Sequence, residues 1–243
     1  MRNELFIVSV TLTMSETTIT PSAENASADD STAAAAPENT TQVRQTEPAK
    51  KKVPDSVRLR TAIQYHGYAL LAAFGIWAAT DAWLTSTGLT LASVMSVIAA
   101  FAAGSVLATI FHEWGHFIGA RLAGSHSPMV YKPVTAFIFG FSFEKNTREQ
   151  FLSMSLGGPV ANWLLVLIVA LMIPIDNAGR AMLLATVAGR AIAVVLFEGP
   201  VIMRVWNRED PKESLDIALN DGSQDKSRVH GWLAILIIWL IAV

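Results

Sequence analysis

The sequence has no cysteine. That excludes a disulfide framework, a cysteine-built zinc finger and a thiol nucleophile, and it leaves any metal to histidine and carboxylate. Charge is scarce as well. Asp, Glu, Lys and Arg make up 16% of the 243 residues, against about 25% in soluble globular domains. The formal net charge is -2, so nothing in the balance calls for a nucleic-acid partner. Apolar side chains fill the deficit, at 52%. The expectation is one domain embedded in a lipid bilayer and preceded by a tail.

Residues 1–60 are of another kind. From Ser15 to Gln45 the chain is Ser, Thr, Ala, Pro and acidic residues with almost no large apolar side chain. Such a segment buries too little apolar surface to offset the entropy of ordering it, which predicts a disordered cytosolic tail. The opening MRNELFIVSVTLT holds an apolar run of only about eight residues and no clean small-x-small cleavage site follows, so it is not read as a signal peptide. Translation from Met14 is an equal alternative.

A membrane-crossing helix needs about 20 mostly apolar residues. Residues 63–80, 89–111, 151–175 and 181–203 are candidates, and 231–243 is a shorter one. The fold expected over 61–243 is therefore all-α and polytopic, with four to five transmembrane helices and a core at 89–205. Loops on one side would hold Lys50, Lys51, Lys52, Arg58, Arg60, Arg121, Lys132, Lys145, Arg148, Arg204, Arg208, Lys212, Lys226 and Arg228. The other side would hold Arg180 alone. Lys and Arg accumulate on the cytosolic side. The N-terminus is thus predicted to be cytosolic, in the plasma (inner) membrane of a prokaryote. Spans two and four then run the same way, and polar groups near their ends arrive at a similar depth.

Those polar groups carry the chemistry. His112-Glu113-Trp114-Gly115-His116 closes span two. On a helix, positions i and i+4 share a face, so both imidazoles can reach one ion. Glu113 beside them can take the proton from a metal-bound water. The plain alternative is a helix end whose His and Glu bond to their neighbours. Against it, a carboxylate near the bilayer centre costs roughly 2.5–3.5 kcal/mol and marks function by default. Gly157, Gly158 and Pro159 are expected to interrupt a helix and to allow close backbone approach. Asn162 puts an amide inside a span, for function or as ordinary glue between helices. Glu198 comes at the end of span four, with apolar residues before it and a Gly199-Pro200 break after it. Arg190 lies mid-span and is expected to snorkel or to pair with a neighbouring helix. His66, His126 and His230 read as boundary residues. Between spans two and three, VTAFIFGFSFE (134–144) is aromatic and β-branched. It predicts a membrane-associated β-hairpin whose edge would receive an extended substrate strand.

HEWGHFIGARLAG (112–124) resembles the HExGH-x-x-x-AR-x-x-G stretch of the site-2 protease family of intramembrane zinc metalloproteases. Gly157-Gly158-Pro159-Val160-Ala161-Asn162 resembles that family's GGPxxN motif, in the same order and spacing. The resemblance covers roughly residues 90–205 and implies a Zn2+ cofactor, His112 and His116 as ligands, and Glu113 as general base. It implies further that Gly158, Pro159 and Asn162 help position the substrate or the catalytic helix. The family's third ligand is an Asp in NxxPxxxxDG. Here Leu196-Phe197-Glu198-Gly199-Pro200 stands in its place, with Glu for Asp, Pro for the second Gly and Arg190 at the Asn position. Glu198 is accordingly the expected third ligand, since His₂Glu sets bind zinc well. Its rivals Asp216 and Asp221 lie in a polar stretch expected in the cytosol. The function implied is hydrolysis of peptide bonds in or near transmembrane segments of membrane proteins. The alternative, raised by the altered fourth-span motif, is an inactive relative that binds membrane protein partners. A metal or proton transporter would need ionisable residues spread through the membrane depth, and only Arg190 lies there.

Overall fold

The computed structural model describes residues 53–130 and 138–243. The expected disordered stretch at 15–45 lies outside them. Among the described residues six helices follow one another: α1 (Asp55–Thr87), α2 (Thr90–Leu122), α3 (Arg148–Met172), α4 (Ala178–Trp206), α5 (Pro211–Asn220) and α6 (Ser223–Ala242). Four of them, α1 to α4, are long and apolar enough to cross a membrane. α6 falls outside that set because its first turns carry Asp225, Lys226 and Arg228. The chain is thus compatible with a multi-pass membrane protein.

The helices are apolar on both faces, which suits lipid outside as well as protein inside. α1 exposes Tyr68, Leu71 and Ile76, and α3 exposes Val160, Leu164 and Leu171. Inside, α2 packs on α1, α3 and α4. It meets them with small residues, as packing between membrane helices requires. Ala99, Ala100, Ala103 and Ala108 form one core with Trp77 of α1, Leu165 and Val169 of α3, and Leu183 and Val187 of α4.

Local chemistry sets the ends. Gly88, with φ 65°, closes α1 by donating its N–H to the Leu84 carbonyl, a left-handed position that glycine takes without steric cost. Thr147 and Gln150 form a capping box on α3. Asn177 caps α4 by accepting from the Arg180 N–H at 2.9 Å. Its amide also donates to Asp81 of α1 at 3.0 Å. Asp81 in turn receives Arg180 at 2.8 Å, and Arg180 reaches Asp176 at 3.1 Å. This clamp ties α1 to α4 at the end of the bundle away from the HEWGH segment.

Two expectations are corrected. α1 begins at Asp55, inside the stretch assigned to the tail, and α4 continues to Trp206. Backbone hydrogen bonding runs on over the charged residues that end each apolar stretch. Gly157-Gly158-Pro159 do not interrupt α3, and Gly199-Pro200 do not break α4, since both prolines lie inside continuous helices. Each proline removes one i to i−4 hydrogen bond and leaves the flanking turns bonded. The expected β-hairpin is not shown by the described residues. They show one isolated antiparallel bridge, Met129 with Phe139, and residues 134–137 of the expected hairpin lie outside the described residues.

Candidate metal centre

α2 carries His112 and His116 one turn apart, both buried, and α4 brings Glu198 to them. Glu198 Oε1 lies 3.0 Å from His112 Nε2 and 3.3 Å from His116 Nε2. The two Nε2 atoms are 3.0 Å apart. Three ligand atoms around an ion at bond lengths of 2.0–2.1 Å in tetrahedral geometry stand about 3.3 Å from one another. The observed triangle matches one face of such a tetrahedron. Glu198 Oε2 is buried with no hydrogen-bond partner among the described residues, an orphan that a cation or its water would satisfy. These residues fit a metal ion, and among the described residues they are the group of three that can hold one.

The approach of α3 makes the triangle possible. A methyl group on Gly157 would run into the Gly115 carbonyl oxygen, and one on Gly115 into the Gly157 carbonyl. The backbones of α2 and α3 therefore touch at the middle of HEWGH. One residue along α3, a Cβ on Gly158 would meet His112 Cε1 at 2.6 Å and both Cε1 and Nε2 of His116. Glycine at 158 leaves room for the two rings. From the same helix, the Met154 carbonyl accepts from His116 Nδ1 at 2.8 Å, and the Asn162 amide meets His112 Nδ1 at 3.4 Å. Pro159 is buried inside α3 beside Gly158. Of the residues that the motifs assign to positioning, Gly158 and Asn162 thus touch the histidines themselves.

Glu113 is buried next to His112, at 8% exposure, and stands outside the ligand triangle. Trp114 points the other way and donates from Nε1 to His66 Nδ1 of α1 at 2.9 Å. His66 is therefore an interhelix partner of the HEWGH segment, which the sequence reading missed. No local pattern in the sequence records that pairing, which joins positions 48 residues apart. His126 and His230 lie outside the centre: the His126 carbonyl accepts from Asn146 at 3.0 Å, and His230 Nδ1 meets the Lys226 carbonyl. Arg190 donates to Thr109 Oγ1 of α2 at 3.3 Å, the pairing with a neighbouring helix that its position predicts.

The rivals for the third ligand are elsewhere. Asp216 lies in α5. Asp221 ends that helix and accepts from the Ser223 N–H at 2.8 Å. The Ser223 hydroxyl and backbone N–H hold its carboxyl below the ordinary carboxylate range. Neither joins the triangle. Compared with protein-family models, with curated proteins and with solved structures, the chain shows no match.

Proposed function

We infer that this protein is an intramembrane zinc metalloendopeptidase that hydrolyses peptide bonds in or near transmembrane segments of other membrane proteins. The observation that carries the reading is the convergence of His112, His116 and Glu198 from two apolar helices, with a buried carboxylate, Glu113, beside them. A structural site closes its coordination with four protein ligands, whereas a catalytic site leaves a position for water or substrate. Three ligands here fit the second kind. The orientation read from the Lys and Arg distribution would put this centre toward the cytosolic side of the bilayer, with the N-terminus on that side.

Bound there, a zinc ion would polarise the scissile carbonyl and acidify a water molecule. Glu113, buried beside His112, would accept a proton on its carboxylate from the attacking water and return it to the departing amide nitrogen. His112, His116 and Glu198 are the residues that would hold the ion. An amide at position 113 accepts no proton, so Glu113→Gln is expected to keep zinc and lose cleavage. The test is zinc content by elemental analysis of purified protein, beside hydrolysis of a membrane-spanning peptide in liposomes. Activity of Glu113→Gln within a few-fold of the wild type rules out its role as base. Zinc in the wild type without any cleavage would favour the inactive relative that binds partners.

A further inference from the structure

His116 reveals which of its ring nitrogens carries the hydrogen. Its Nδ1 faces the Met154 carbonyl oxygen at 2.8 Å. A carbonyl only accepts, so Nδ1 holds the hydrogen and Nε2 presents its lone pair to the centre. His112 has no carbonyl at the equivalent place. Its Nδ1 faces the side-chain amide of Asn162, with Nδ2 at 3.4 Å, while Asn162 Oδ1 is buried and unpartnered among the described residues. In this orientation the amide donates, His112 Nδ1 accepts, and the ring hydrogen sits on Nε2. From there it reaches Glu198 Oε1 at 3.0 Å, a single hydrogen bond between α2 and α4. A metal ion requires the other tautomer, with Nε2 bare and Nδ1–H facing an acceptor. An amide provides that acceptor by turning end for end, since its oxygen and nitrogen ends have nearly the same shape.

We propose that Asn162 is the positioning residue of His112: Oδ1 accepts the Nδ1 hydrogen when the triangle holds a metal ion, and Nδ2 donates to Nδ1 when it does not. Met154, Gly158 and Asn162 follow one another at intervals of four on α3, and so share a face. The first and third orient the two imidazoles, and the second makes room for them. This assigns Asn162 to the histidine itself, where the motif left both the substrate and the catalytic helix open. It rests on the metal reading given above.

The test measures metal affinity in the full-length protein in detergent, by chelator competition with Zn2+ and by the visible absorption of bound Co2+. Loss of an outer-shell partner of a ligating histidine typically costs about 10- to 100-fold in affinity. Asn162→Leu, which accepts nothing, is expected to lose that much. Asn162→Asp, which can only accept, is expected to bind within a few-fold of the wild type or more tightly, with an unchanged Co2+ spectrum. The Asp variant also guards against misfolding as the cause of a weak Leu variant. If Asn162→Leu binds both metals as the wild type does and only raises KM for a membrane peptide, Asn162 serves the substrate and the proposal fails. If Asn162→Asp loses metal as Leu does, the amide acts as a donor and the proposal fails. If the wild type takes up neither metal and His112→Ala is indistinguishable from it, the metal reading itself falls.

Discussion

Glu198 is the residue on which sequence and geometry press hardest. In a span, its carboxylate is costly unless compensated, and two imidazole nitrogens meet one of its oxygens at 3.0 and 3.3 Å. Glu198→Gln replaces an anionic ligand with a neutral amide. Its zinc affinity is expected to fall by at least the roughly 10- to 100-fold that a lost outer-shell partner costs. Glu198→Asp keeps the charge but draws it back by one methylene, and retains a measurable part of both affinity and cleavage. Asp216→Asn and Asp221→Asn leave zinc content unchanged. Chelator competition on the four variants decides the matter: zinc kept by Glu198→Gln and lost by either Asp variant would overturn the assignment. His112, His116 and Glu198 were legible because each breaks an apolar pattern and so advertises its cost. The contact between Asn162 and His112 was not. It joins positions 50 residues apart, and no local periodicity records which face of α3 turns toward α2.

At the scale of the helix, glycine and proline divide their labour differently from what their local preferences suggest. Gly-Pro pairs in sequence announce a break, yet α3 and α4 pass through theirs. The ladder outlives one missing N–H when its neighbours are packed. What Gly157 supplies is proximity. Gly157→Ala forces a methyl against the Gly115 carbonyl, and contact that close between backbones cannot be relieved by a rotamer change. The expected result is a lower unfolding temperature in detergent together with weaker zinc binding, because α2 and α3 must part where the histidines sit. Gly199→Ala is the control. Its nearest neighbour would be Val195 Cγ1 at 3.9 Å, ordinary contact, so stability and zinc binding should match the wild type. Equal behaviour of the two alanine variants would remove the close approach from the account of the site. Helix boundaries were the least legible part, since hydropathy tracks lipid while hydrogen bonding carries α1 and α4 into charged sequence.

For the whole molecule, the absence of cysteine makes the predicted orientation simple to examine in sealed, right-side-out vesicles. Ser86→Cys lies near the end of α1, and Ile175→Cys lies in the turn between α3 and α4, at the clamped end of the bundle. Both are expected to react with an impermeant thiol reagent from outside. Lys145→Cys, in the exposed connection before α3, should react only after the vesicles are opened. The reverse pattern overturns the orientation and the cytosolic placement of the centre with it. Arg180, the lone cation that the charge count assigns to the outer side, is held there by Asp81 and Asp176. The pairing with Asp81 was invisible to a count of charges because the two lie 99 residues apart.

The row of Met154, Gly158 and Asn162 has a mechanical meaning. A slide of α3 along its axis by a single residue is a displacement of about 1.5 Å. That is enough to carry both ring-orienting groups off their nitrogens together, while the glycine vacancy moves from between the rings. The centre therefore acts as a registration mark between two helices, sensitive to thrust along either axis in a way that a site borne on one helix is not. Under the proposed function, a substrate peptide entering between α2 and α3 would have to leave that mark in place, which would favour an extended strand over an intact helix of about 10–12 Å girth.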